Sequence, residues 1–184
     1  AQEIVRRRPE QLVLLHPPVP LGTWTLDYLG SIEIRQRIIR DVIIDIGASL
    51  ARHGFRHLVV MNGHGGTGNI VAQEEACARL TRRHGMRAIA PVGRMIDSLF
   101  TGKYLERILA GLRERGGEVD ACRLATDYHA GAVETSLMLH ICPHLVTEGW
   151  RAFKPVQVER AALRPSSGKS EGEGLGYLGS PAAM

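Results

Sequence analysis

Apolar residues at Ile34, Ile38, Val42 and Ile46 recur every fourth position, and Ile39, Ile43 and Leu50 widen the stripe. That spacing predicts an amphipathic helix over Ile34–His53, with Gly54 as its cap. The pattern then changes period. His57 to Met61 is a short apolar run of the kind that makes a buried strand, and it stops in a glycine-rich turn. A second helix is predicted from about Asn69, a candidate N-cap, to His84, with Gly85 as the stop. Arg87 to Val92 reads as another strand. Upstream, Gln11 to Leu15 reads as a short buried strand ended by Pro17, Pro18 and Pro20. Strand, helix, strand, helix, strand in that order predicts the α/β class, with parallel pairing and right-handed crossovers.

Beyond the second helix pair the pattern weakens. Residues 97–120 are helical in composition but interrupted by glycines, which predicts a surface excursion. Ala132 to Leu139 is apolar and helix-competent, with His129 in the loop before it. From about Val156 the chain turns polar, and Ser166 to Gly174 has the composition of a flexible loop. No segment repeats another.

Composition narrows the function classes. At 184 residues the chain is expected to form a single domain with a hydrophobic core. Its net charge of +4 is spread out, Arg6-Arg7-Arg8 being the one tight basic cluster, and aromatic residues are few. Neither a phosphate-tracking groove nor a base-stacking platform is indicated, so no nucleic-acid partner is expected. The longest apolar runs are far too short to span a bilayer. Cys77, Cys122 and Cys142 form no CxxC pair or disulfide framework, which fits a cytoplasmic protein with cysteines in its core. The first residue is Ala1 and the last segment runs Ser180-Pro181-Ala182-Ala183-Met184, so the chain is expected to be truncated at both ends.

The candidate chemistry lies in two segments. In Asn62-Gly63-His64-Gly65-Gly66, a histidine stands at the carboxyl end of a predicted strand, where ligands bind in open α/β sheets. Neutral imidazole is a common metal ligand, and Asn62 can brace the turn through its side chain. The same turn also fits G-x-G-x-x-G, from Gly63 to Gly68, between a strand and a helix. A dinucleotide site would place an acid at the end of the next strand. No Asp or Glu occurs there before Asp97; Arg94 is the residue that would take a 2′-phosphate. In the second segment, His129 precedes Glu134 by five positions, with Asp127 nearby. That spacing suits a loop histidine followed by a glutamate in the first turn of a helix, with Ala130-Gly131 making the bend. The remaining histidines sit at element ends or near the surface and are read as structural.

Together, NGHGG at Asn62–Gly66 and HAGxxETS at His129–Ser136 resemble the creatininase family of metal-dependent amidohydrolases. Gly54-Phe55-Arg56 and Gly179-Ser180-Pro181-Ala182 extend the likeness over most of the chain. The resemblance implies a three-layer α/β/α domain around a mostly parallel sheet, assembled into homo-oligomers. It implies His64 and Glu134 as metal ligands, and His129 as a catalytic or substrate-positioning residue. It also implies a divalent metal, Zn and/or Mn or Fe, with two ions in the full-length protein, and a small-molecule amide substrate.

Three departures stand out. The family's Glu-x-His-Gly-x-His segment and later Asp, which supply the other ligands, have no counterpart and by alignment order would precede Ala1. Gly66 stands where creatininase proper has a glutamate, which argues against creatinine itself. Ala132 stands where many relatives are acidic. The function expected is cleavage of a C–N bond in a cyclic amide, formamide or peptide-like substrate. The alternative is a degenerate family member that binds without catalysis.

Overall fold

The computed structural model describes residues 2–25, 30–101, 105–114, 127–156, 179 and 181. After a short exposed helix α1 (Gln2–Arg7) come α2 (Gln36–Arg52), β1 (His57–Val59), α3 (Thr67–His84), β2 (Arg87–Ile89), α4 (Val92–Phe100), α5 (Leu105–Arg113) and α6 (Ala132–Ile141). Two 3₁₀ turns, Pro143–Leu145 and Glu148–Ala152, follow. The result is mixed α/β. β1 and β2 pair in parallel with the register His57↔Arg87, Leu58↔Ala88 and Val59↔Ile89, and α3 makes the crossover. No helix among the described residues is long and apolar enough to cross a membrane.

The apolar stripes explain the packing. Cys77 and Leu80 of α3 and Ala88 of β2 form the buried centre; Ile43 and Ala48 of α2, with Leu58, Val60 and Ala90, pack around it. α2 and α3 approach closely because Gly47 has no side chain: a Cβ there would stand 2.8 Å from Leu80 Cδ2 and nearer still to Cδ1. Arg40 on α2 adds a 3.6 Å ion pair to Glu75 on α3, an exposed contact of small energetic weight. Burial raises the Cys77 thiol to about 11, with the charge of Glu74 adding to the effect, so Cys77 is an unreactive core residue. Cys142 is a free thiol, and Cys122 lies outside the described residues.

Helices α2 and α3 cover one face of the two-stranded sheet. On the other face Val59, Met61 and Ile89 are 50%, 68% and 54% exposed. A second helical layer is not seen among the described residues.

Element boundaries follow the periodicity closely, although β1 ends at Val59 rather than Met61 and His53 rather than Gly54 is the C-cap of α2; three further places differ. Gln11–Leu15 is not a strand: it is irregular, and Leu12 and Leu15 are more than four-fifths exposed. β1 pairs only with β2 among the described strands, so this segment lacks the neighbour that would satisfy its backbone groups. Asn69 is not the N-cap of α3; Gly66 is, and Asn69 is buried in the first turn. The second strand ends at Ile89 because Pro91 starts a new chain direction and α4 begins at Val92. At α3's other end Gly85 takes φ +63 and stops the helix as expected. Helix α5 and the end of α4 fall in the predicted excursion 97–120, α4 starting earlier at Val92, whereas residues 115–120 and the polar segment 166–174 lie outside the described residues.

Candidate functional site

His64 is presented by a turn that Asn62 organises. The Asn62 Oδ1 accepts the His64 backbone N–H at 2.9 Å, and the Asn62 side-chain amide donates to the His64 carbonyl. The same Oδ1 accepts the side-chain N–H of Asn69 at 2.9 Å, which ties the turn to the first turn of α3. The Asn69 Oδ1 is buried with no hydrogen-bond partner.

A second stretch of chain closes over this turn. The Nε2 of His64 lies 2.8 Å from the Thr23 carbonyl, 41 residues upstream. Thr23 is buried, and the backbone at Trp24 is in the left-handed region with φ +60, unusual for a bulky residue. Trp24's indole rests on Gly68: a Cβ at Gly68 would stand 2.5 Å from Nε1 and nearer still to Cδ1. A Cβ at Gly66 would stand 3.0 Å from both the Thr23 carbonyl oxygen and Trp24 Cβ, and would strike His64 Nε2. Gly68, the last glycine of the dinucleotide-like pattern, and Gly66, at one of its variable positions, are therefore explained by this strap. They make room for His64, Thr23 and Trp24.

The second segment is organised by a carboxylate. Asp127, 8% exposed, accepts the backbone N–H groups of Ala132 at 2.9 Å and Val133 at 2.8 Å, one on each oxygen. It thus satisfies two of the orphan donors at the N-terminus of α6 and places negative charge at the positive end of the helix. Its carboxylate lies against Gly131 and Gly179, where any side chain would collide with it. Gly179 also holds an antiparallel bridge to Val156, whose N–H donates to the Gly179 carbonyl at 2.8 Å. Gly131 of the HAG segment and Gly179, far apart in sequence, therefore meet at Asp127.

Glu134 sits in the first turn of α6, exposed, as the spacing predicts, and accepts the backbone N–H of Ala130. His129 lies in the loop just before, half-buried, and Ala130 takes φ +49 to make the bend. The contacts of His64 run to Thr23 and Asn62, and that of Glu134 runs to Ala130. No group of three or more His, Cys, Asp or Glu side chains among the described residues stands ready to hold a metal ion. His64 and Glu134 have the right donor chemistry, but the described residues do not complete a coordination shell.

Sequence reasoning missed Thr23, Trp24 and Glu33, whose Oε1 accepts the Trp24 N–H at 3.1 Å and the Thr23 hydroxyl at 3.3 Å and so holds the strap. Their role depends on a contact spanning 41 residues, and no local pattern announces it. Asp127 was visible as a nearby acid, but its work as a helix cap was not.

A parallel β-α-β unit with a histidine in a glycine turn after its first strand, and a His-Ala-Gly bend opening a later helix, defines a protein of the α/β class. A family model described as creatininase, creatinine amidohydrolase, matches residues 1–184, the whole chain, and the chain belongs to that family. Comparison with curated proteins and with solved structures gave no match. The family is hydrolytic at a coarse level, and its members are typically metal-dependent.

Proposed function

We propose that this protein is a divalent-metal amidohydrolase that cleaves a C–N bond in a small cyclic amide, formamide or peptide-like substrate. The observation that carries the reading is the whole-chain family match, with both motif segments placed at element ends. In this reading His64 and Glu134 are metal ligands, and the metal is Zn and/or Mn or Fe. The three-layer fold, homo-oligomeric assembly and cytoplasmic location belong to the same proposal. Amide cleavage requires a proton on the departing nitrogen, and His129, on the bend before α6, is the residue assigned to supply it or to hold the substrate.

The competing reading is a family member that keeps the fold and binds without turnover. It draws on the sequence, in which the family's Glu-x-His-Gly-x-His segment has no counterpart. Metal analysis together with amide-hydrolysis assays separates the two. Under the enzyme reading, His64→Ala and Glu134→Ala each lower bound metal, and His129→Ala lowers turnover while metal is retained. Protein that takes up metal and hydrolyses none of a panel of cyclic amides, formamides and dipeptides would sink it in favour of the binding protein.

A further inference from the structure

We propose that the end of the β-α-β unit where both strands begin is a docking surface for an acidic peptide segment, with Arg56 and Arg87 at its centre. This surface lies at the other end of the strands from the glycine turn. It does not depend on the metal reading of His64.

The fold builds the surface from two stretches that are far apart in sequence. β1 and β2 run parallel with His57 paired to Arg87, so both strands start at one end of the sheet. Helix α2 ends at Arg52 and α3 ends at His84, and a short connection leads from each into its strand. Arg52 and Arg56 therefore gather at the head of β1, and Arg82, Arg83 and Arg87 gather beside them at the head of β2. The Arg87 N–H donates to the Arg56 carbonyl at 2.8 Å, which fixes the spacing of that pair. All five arginines are exposed.

No acid balances this charge nearby. Asp and Glu are absent from Ile46 to Gln73 and from Ala76 to Ile96. Asp45 and Glu75 lie two turns back along their helices from Arg52 and Arg82, roughly 10 Å away, which is a full screening length at ordinary salt. Among the described residues none of the five makes an ion pair, whereas Arg6 and Arg7 pair with Glu3, Arg8 with Glu10, and Arg40 with Asp41 and Glu75. The tight basic run in the sequence is thus neutralised locally, and the unpaired cluster is one that only the fold creates. Arg52, Arg82 and Arg83 stand in the last turns of their helices, where the macrodipole favours a cation. Arg56 and Arg87 open strands, and no such dipole favours them.

The guanidinium fork matches carboxylate and phosphate alike through paired hydrogen bonds, so the surroundings decide between them. Neighbouring strands lie about 4.8 Å apart, so the arginines make a compact spot and not a track along a duplex. Phe55, the aromatic residue of this edge, is half-buried and gives bases no open face to stack on. Among the described residues no large exposed apolar side chain falls between 51 and 58 or between 81 and 88, so a bilayer meets no apolar anchor. A short run of aspartates or glutamates fits the spot.

The test is fluorescence anisotropy of labelled deca-glutamate titrated with the full chain at low salt. Saturable binding that weakens as salt is added is expected. Arg56→Gln/Arg87→Gln is expected to weaken it about tenfold, since both central forks are lost. Arg6→Gln/Arg7→Gln changes net charge equally and is expected to weaken it by less than about twofold, because those charges are already paired and screened. Thermal unfolding checks that each variant is folded; should the first double variant fail to fold, Arg82→Gln/Arg83→Gln takes its place with the same expectation. Absent binding, or equal losses from the two double variants, overturns the proposal, since net charge alone would then govern. Oligothymidylate and phosphatidylserine vesicles of matched charge are run as competitors. Weaker competition than by unlabelled deca-glutamate supports the peptide, and stronger competition by either overturns it in favour of that partner.

Discussion

The two motif segments solve one problem by different means. Each must hold a histidine on an irregular backbone stretch beside a helix N-terminus. At His129 the solution is local and charged: Asp127, five and six residues before its partners, ties down the start of α6 with both carboxylate oxygens. At His64 it is long-range and neutral: carboxamides organise the turn, and a carbonyl from a distant strap meets the ring. The difference teaches that equal motif strength in sequence does not mean equal self-sufficiency. The HAG segment carries its own brace, whereas the NGHGG segment depends on Thr23, Trp24 and Glu33.

Removing Asp127 is expected to have the largest effect. Asp127→Ala leaves two amides at the N-terminus of α6 without acceptors in a buried site, costing about 2–4 kcal/mol at roughly 1–2 kcal/mol per bond. A urea unfolding midpoint within error of the unsubstituted protein would break the contrast. Next comes Asn62→Ala, which removes the acceptor shared by the His64 N–H and the Asn69 side chain, and is expected to cost about 1–3 kcal/mol in the same measurement.

Gly68→Ala sharpens the contrast from the other side. Alanine is better than glycine in a helix by about 1 kcal/mol, so an open position would gain stability. Here the new methyl meets the Trp24 indole, and overpacking of about 1–3 kcal/mol is expected to cancel or reverse that gain. A clear rise in the unfolding midpoint would show that the strap does not press on the turn. Nucleotide is expected to have no saturable effect: calorimetry with NAD(P) or ATP should show no binding in the micromolar range typical of cofactor sites. Tight stoichiometric binding would mean that the strap yields to a pyrophosphate.

The smallest expected effect is at Cys77. With its thiol raised to about 11, it is protonated at pH 8 and should resist a disulfide reagent until the protein unfolds. Because the folded value lies above the unfolded one, its contribution to stability is present below the unfolded pKa. That contribution is lost as pH rises through the folded value.

Much of the β-α-β unit was legible because its signals are periodic and local. The stripe from Ile34 to Leu50 and the apolar run at His57–Met61 report burial directly, and Gly85 reports a left-handed helix stop. Gln11–Leu15 misled because an apolar run says only that a strand would be favoured if a neighbour were present. Asn69 misled because a residue type that favours N-caps also serves inside the first turn when another carboxamide faces it. The identities of His64, His129 and Glu134 as site candidates were readable from motif chemistry. What touches them was not, since Thr23 and Glu33 act through tertiary contacts that leave no spacing to detect.

The chain has two tryptophans, and each belongs to one of the two regions. Trp150 is buried, with the Arg151 guanidinium 4.5 Å from its ring centroid, in the turn that follows α6. Trp24 is 39% exposed, on the strap. A protein so arranged carries two separable fluorophores: a shielded, blue-emitting one and a wetter, red-emitting one. A water-soluble quencher added to the intact protein should therefore dim the red side of the emission first. The shape of one spectrum would then report whether a ligand has reached the strap, without any label.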